Sequence, residues 1–108
     1  MTAWKDAERY VCRSLGGERS GPTGREGPDC VNTPLAVQVK HTLRPQLRQD
    51  WLEQAKRDAR KEGKPWLLVI CERGKRKRIA CLDFDYLCEM LRRLPSEPGG
   101  DVQDEDLL

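Results

Sequence analysis

The chain has 108 residues, of which 35% are charged and 37% hydrophobic. That is enough for one small domain with a modest core. No apolar run approaches the length of a membrane span, and the N-terminus lacks the apolar stretch of a signal peptide. The formal charge of +2 conceals an asymmetry: residues 95–108 hold five acids and no base, so residues 1–94 carry 20 basic and 13 acidic side chains, a net +7. A basic body suits a polyanionic partner.

Thr2 to Leu15 has the periodicity of a helix that Thr2 could cap. At 100° per residue, Trp4, Ala7, Val11 and Leu15 share a face, and Glu8 falls on that face as well. A carboxylate in an apolar stripe needs a partner. Arg19 could supply a salt bridge, or Glu8 could point into a site. Gly16 and Gly17 end the helix, and Glu18 to Ser20 can begin a first strand. Gly21 to Gly27, GPTGREG, reads as a loop, either a plain connection or one that approaches phosphates with Arg25.

Asp29 to Thr33 and Leu35 to His41 read as adjacent antiparallel strands with Pro34 at the turn. Alternation places Leu35, Val37 and Val39 on one face and Gln38 and Lys40 on the other. An ammonium within an apolar run is costly unless a negative group is near, and Asp29 is the nearest candidate. His41, the single histidine, sits at the strand end. Pro45 is expected to open a second helix reaching Lys61 or Glu62, with Leu47, Trp51, Ala55 and Asp58 or Ala59 inward and Gln54 flanking them. Gly63 stops it.

Trp66 to Cys71, WLLVIC, is continuously apolar, as expected of a strand buried on both faces at the centre of a sheet. Arg73, Lys75, Arg76, Lys77 and Arg78 crowd the next turn. Five like charges repel unless an anion is near, so this hairpin tip is a candidate phosphate contact. Ile79 to Leu82 returns, Asp83 caps a third helix from Phe84 to about Leu94, and Pro95 ends it. That helix carries a wide apolar surface, suited to covering the sheet or forming a dimer interface. Ser96 to Leu108 is acidic and rich in Gly and Pro, the composition of a disordered tail. The five cysteines, 12, 30, 71, 81 and 88, are odd in number and lack C-x-x-C spacing. They are expected to be free core thiols in a reducing cytoplasm rather than a zinc site or disulfide framework.

Pro28-Asp29, a gap, then Gln38-Val39-Lys40 resembles the PD-(D/E)XK nuclease superfamily, as does the order α-β-β-β-α-β-β-α. The likeness covers roughly residues 4–93 and is nearest to small Holliday-junction-resolvase-like and phage-type endonucleases. Gln38 departs from the usual carboxylate, which weakens the attraction for a metal. The resemblance implies an α/β, restriction-endonuclease-like core, with a mixed central sheet of about five strands flanked by helices, over residues 1–94. It also implies a Mg²⁺-dependent DNA endonuclease, with Mn²⁺ able to substitute, selective for branched DNA rather than sequence. Asp29, the Gln38 side-chain oxygen, the Val39 carbonyl and Glu8 would hold the metal, and Lys40 would stabilise the attacking hydroxide and developing charge. Arg19, Arg25, Gln54, His41 and the basic hairpin would contact DNA, and cutting two strands implies a C2 homodimer. The alternatives are an inactive nucleic-acid-binding module on the same fold, or a small phage protein acting on a host protein through its acidic tail.

Overall fold

The computed structural model describes residues 3–21 and 27–95. The Thr2 cap, Arg25 and most of its glycine-rich loop, and the acidic tail lie outside them. The elements are α1 (Ala3–Ser14), β1 (Glu18–Arg19), β2 (Cys30–Val31), β3 (Ala36–Thr42), α2 (Gln49–Glu62), β4 (Trp66–Glu72), β5 (Arg78–Leu82) and α3 (Phe84–Arg93). The chain is thus mixed α/β, in the expected order.

The strands form two sheets where one of about five strands was expected. β3, β4 and β5 make a mixed three-stranded sheet, with β4 central, parallel to β3 and antiparallel to β5. β1 and β2 pair antiparallel in a separate two-residue ribbon, with Glu18 opposite Val31 and Arg19 opposite Cys30. The expected β2–β3 hairpin does not form because the chain turns too soon. Asn32 adopts φ 62°, Pro34 follows, and Thr33 Oγ1 donates to the Leu35 carbonyl at 2.6 Å. Gly17 lies under this turn: a Cβ there would stand 2.4 Å from both Thr33 Cγ2 and the Val31 oxygen.

Strand alternation divides the core. Val37, Val39, Leu67, Val69 and Cys71 pack with Val11, Cys12 and Cys30 on the α1 side. Leu68 and Ile70 pack with Ala55, Trp51 and Trp66 on the α2 side. Ala55 and Ala59 are buried, and their small side chains let α2 lie close to the sheet. WLLVIC is buried through five consecutive residues, as a central strand covered on both faces requires. Gly63, at φ 65°, closes α2 by donating to the Ala59 and Arg60 carbonyls, and Asp83 caps α3 by accepting from the Tyr86 N–H.

Other expectations are corrected. Trp4 and Leu15 are exposed, and the buried positions of α1 are Val11 and Cys12. The second helix starts at Gln49, not Pro45, leaving Leu47 exposed outside it; Arg48 is still extended, and its guanidinium pairs with Asp50. α3 has no buried residue and so does not cover the sheet. Cys12 and Cys30 form a disulfide, with Cα atoms 5.3 Å apart, and only Cys71, Cys81 and Cys88 are free. The pairing arises because α1 packs beside β2, a proximity that a separation of 18 residues does not advertise. It removes the free-thiol ground for placing the chain in a reducing compartment. Among the described residues, no helix is long and apolar enough to cross a membrane.

Candidate functional site

The outer edge of β3 faces away from β4 and is covered by the segment around Asp29. The Asp29 N–H donates to the Val37 carbonyl at 2.7 Å, and Asp29 Oδ2 accepts from the Val39 N–H at 2.7 Å. The carboxylate thus takes the place of a neighbouring strand. A strand residue points its N–H and C=O to the same side, so the Val39 carbonyl lies on the Asp29 edge too.

Three other elements converge there. Glu8 of α1 pairs with Arg19 of β1 at 3.1 Å, both groups largely withdrawn from solvent, so the stripe carboxylate has the partner its burial demands. Lys40 of β3 donates from Nζ to Gln54 Oε1 of α2 at 2.9 Å. Gln38, 2% exposed, donates from Nε2 to Asp58 Oδ2 of α2 and, at 3.0 Å, to the Gly27 carbonyl. With Nε2 so committed, Oε1 is the only group this amide has left to offer a ligand.

The electrostatics centre on Asp29. Burial pushes its carboxyl up to about 6; the Val39 hydrogen bond opposes this, Glu8 raises it further, Lys40 lowers it and Asp58 raises it. Arg19 answers Glu8, so the half-buried Asp29 carboxylate is left with Lys40 as the cation that counters it. A divalent cation would add to that positive charge. Among the described residues, no three His, Cys, Asp or Glu side chains converge as a metal-ligand group. The donor set on offer is instead Asp29, the Val39 carbonyl and the Gln38 amide oxygen, with water completing the shell. Mg²⁺ accepts such a set, since it is commonly held by one or two carboxylates while keeping several waters.

The structure therefore brings Glu8, Arg19, Gln38, Val39, Lys40 and Gln54 together from four elements, with Asp29 from the segment before β2. It separates the others. His41 points to the opposite face of β3 from Lys40, into a cleft of about 410 Å³ between α1 and the hairpin, beside Tyr10, Glu72, Lys75 and Arg76. The hairpin residues Arg73, Lys75, Arg76, Lys77 and Arg78 are all exposed. Arg73 is tied by its N–H to the Thr42 carbonyl at the end of β3, and the Arg78 guanidinium lies 3.9 Å over the Tyr10 ring. Asp58 is the residue whose part the sequence did not reveal. Its signal was present: an acid on the inward stripe of a helix, 5% exposed in the fold, needs a donor just as Glu8 does.

Comparison with known proteins adds nothing to this geometry: the chain matches no protein-family profile, no curated protein and no solved structure.

Proposed function

We propose that the chain is a metal-dependent phosphodiesterase acting on DNA, with its chemistry at the Asp29–Lys40 edge of β3. The observation that carries this is the juxtaposition of a carboxylate held against the cost of its burial, Asp29, with an ammonium, Lys40, held in place by Gln54. A group that costs stability yet is clamped by two hydrogen bonds to β3 is better explained by function than by packing.

Asp29, the Val39 carbonyl and the Gln38 amide oxygen would hold the ion, and Glu8 would reach it through water. The chemistry supplied by a bound Mg²⁺ or Mn²⁺ is neutralisation of phosphate charge and a more acidic water. Lys40 donates to the charge that develops on the phosphoryl oxygens, and Gln54 keeps its ammonium aimed there. Asp58 fixes Gln38 by accepting from Nε2, so the amide oxygen is presented and the nitrogen is withheld. Arg19 balances Glu8, while the hairpin and the cleft beside His41 offer cations to backbone phosphates. Contacts of that kind read shape and charge, not sequence, which fits branched DNA better than a sequence-defined duplex. One site per chain requires two copies to cut both strands.

A non-catalytic DNA-binding module is the second reading, favoured by Gln38, whose amide nitrogen is bound within the protein. The deciding experiment incubates labelled four-way junction, flap, nicked, single-stranded and linear duplex DNA with Mg²⁺ or Mn²⁺. Wild type is run beside Asp29→Asn and Lys40→Ala. Metal-dependent cleavage lost in both variants is the expected result. Binding without cleavage in either metal, unchanged by the substitutions, would leave the module.

A further inference from the structure

The two edges of the three-stranded sheet are treated differently. The β3 edge is capped by Asp29, as described above. Among the described residues, no backbone or side chain caps β5 in that way. The Glu72 N–H donates to the Lys77 carbonyl at 3.3 Å, and the β4–β5 register places Ile70 opposite Ile79 and Leu68 opposite Cys81. In an antiparallel ladder hydrogen-bonded pairs recur at every second residue. Ile79 and Cys81 therefore spend their backbone groups on β4, and Arg78, Ala80 and Leu82 direct theirs to the open edge.

Free edges are ordinarily blunted by a charge, a proline or a bulge. β5 carries one charge, Arg78 at its first residue; Ile79 to Leu82 contains neither charge nor proline, and the register runs without a bulge. α3, which follows β5 after the single residue Asp83, exposes Phe84 (72%) and Leu91 (56%). Among the described residues the β5 edge is therefore an open surface with no backbone partner.

We infer that this surface is the interface with a second copy of the chain, formed by antiparallel pairing of β5 with its counterpart about a two-fold axis at Ala80. The backbone parity fits. With Ala80 opposite Ala80, Arg78 falls opposite Leu82, so the three open-edge residues of each copy meet one another and close six hydrogen bonds. The charges fit as well. Arg76 and Lys77 precede the strand, Arg78 begins it, and Asp83 and Asp85 follow it. Antiparallel pairing sets the basic end of one copy against the acidic end of the other, with Lys77 opposite Asp83 of the second copy. Parallel pairing would stack like charges. The same contact joins the two sheets into one of six strands. It rests on the β5 edge alone and holds whether or not the Asp29 site cuts DNA.

Light scattering and sedimentation of the full chain at micromolar concentration test it, without DNA. Dimer is expected for wild type. Ala80→Pro deletes an N–H that faces the open edge and takes no part in the pairing with β4. It should weaken dimerisation by about tenfold or more with an unchanged circular dichroism spectrum. Ala80→Cys covers the case in which proline perturbs folding. Made with Cys81→Ser and Cys88→Ser, it should give a covalent dimer under mild oxidation, because hydrogen-bonded antiparallel partners lie about 5.5 Å apart at Cα, within disulfide reach. A monomeric wild type, or a dimer in which Ala80→Cys fails to cross-link, would overturn the interface.

Discussion

Asp29 is docked on β3 through Val39, whose N–H donates to Oδ2 at 2.7 Å. The hydrogen bond favours the ionised carboxylate, but burial, with Glu8 and Asp58 near, outweighs it and lifts the pKa from 3.8 to about 6. A folded pKa above the unfolded one means that the native state binds more protons between those values. For this group, stability falls as pH rises from about 4 to about 6, and the deficit is complete above 6. Asp29→Asn keeps an oxygen for the Val39 N–H and removes the charge. It should therefore be more stable than wild type at pH 7, by about 3 kcal/mol, with the gap closing below pH 4. Urea titrations of both proteins across this range check it; an equally large gap at low pH would contradict the assigned cause.

The same imbalance predicts a metal effect. A cation at Asp29 stabilises the ionised native form and is absent from the unfolded chain, so Mg²⁺ should raise the wild-type melting temperature at pH 7. Asp29→Asn should show little of that rise, and chelation should reverse it. Calorimetric scans with Mg²⁺, with Mn²⁺ and with a chelator distinguish a site ion from general salt effects, because an equal rise in both proteins points to screening.

Gln38 and Asp58 predict the outcome of an apparently restorative substitution. Gln38→Glu supplies the carboxylate of the resembled motif, yet it places two acids where an amide now donates to Asp58. Loss of the donor and like-charge contact in a buried setting should cost roughly 2–4 kcal/mol at pH 7. Asp58→Asn in the same chain returns a donor with the polarity reversed and should recover most of that loss. A double-mutant cycle by denaturant unfolding measures the coupling, and additive losses would show that the two side chains do not interact.

Much of this was legible in the sequence, for identifiable reasons. The helices were marked by 3.6-residue periodicity and by Gly63 and Asp83, and β4 by an uninterrupted apolar run. Of the strand pairings, the β4–β5 hairpin was legible, marked by the turn between two apolar runs; those of β1, β2 and β3 were not. Asp29 to Thr33 has the composition of a strand, but Asn32 and Thr33 turn the chain through local side-chain and backbone preferences before β2 can join β3. Lys40 and Glu8 were found because polar groups on apolar stripes require partners, and Gln54, which only flanks its stripe, through the resemblance. Asp58 met the same condition, but its partner, Gln38, lies 20 residues away in the chain and on another element. The Cys12–Cys30 bond likewise depends on how α1 meets β2.

That disulfide fastens α1 to the residue beside Asp29, so it bears on both fold and site. Closing a loop across 18 residues restricts the unfolded chain, an effect of about 3 kcal/mol in the chain-entropy account. Reduction, or Cys30→Ala, should lower stability by an amount of that order. Thiol titration of the unfolded protein should count three free cysteines before reduction and five after it.

Lys40 and Gln54 supply the sharpest test of the site itself. The ammonium is held by a neutral amide at 2.9 Å, an arrangement that orients its charge without cancelling it. Gln54→Glu would substitute a carboxylate at nearly the same place, pair with Lys40 and withdraw its charge from a bound phosphate. Because Gln54 is only half-buried, folding should be little changed while the cleavage rate falls by roughly 10²-fold. Gln54→Ala should lose less, since Lys40 keeps its charge and gives up only its orientation. Single-turnover cleavage of the preferred DNA, beside melting curves for each variant, separates the two effects. If Gln54→Glu cuts as fast as wild type, Lys40 does not act on the reacting phosphate.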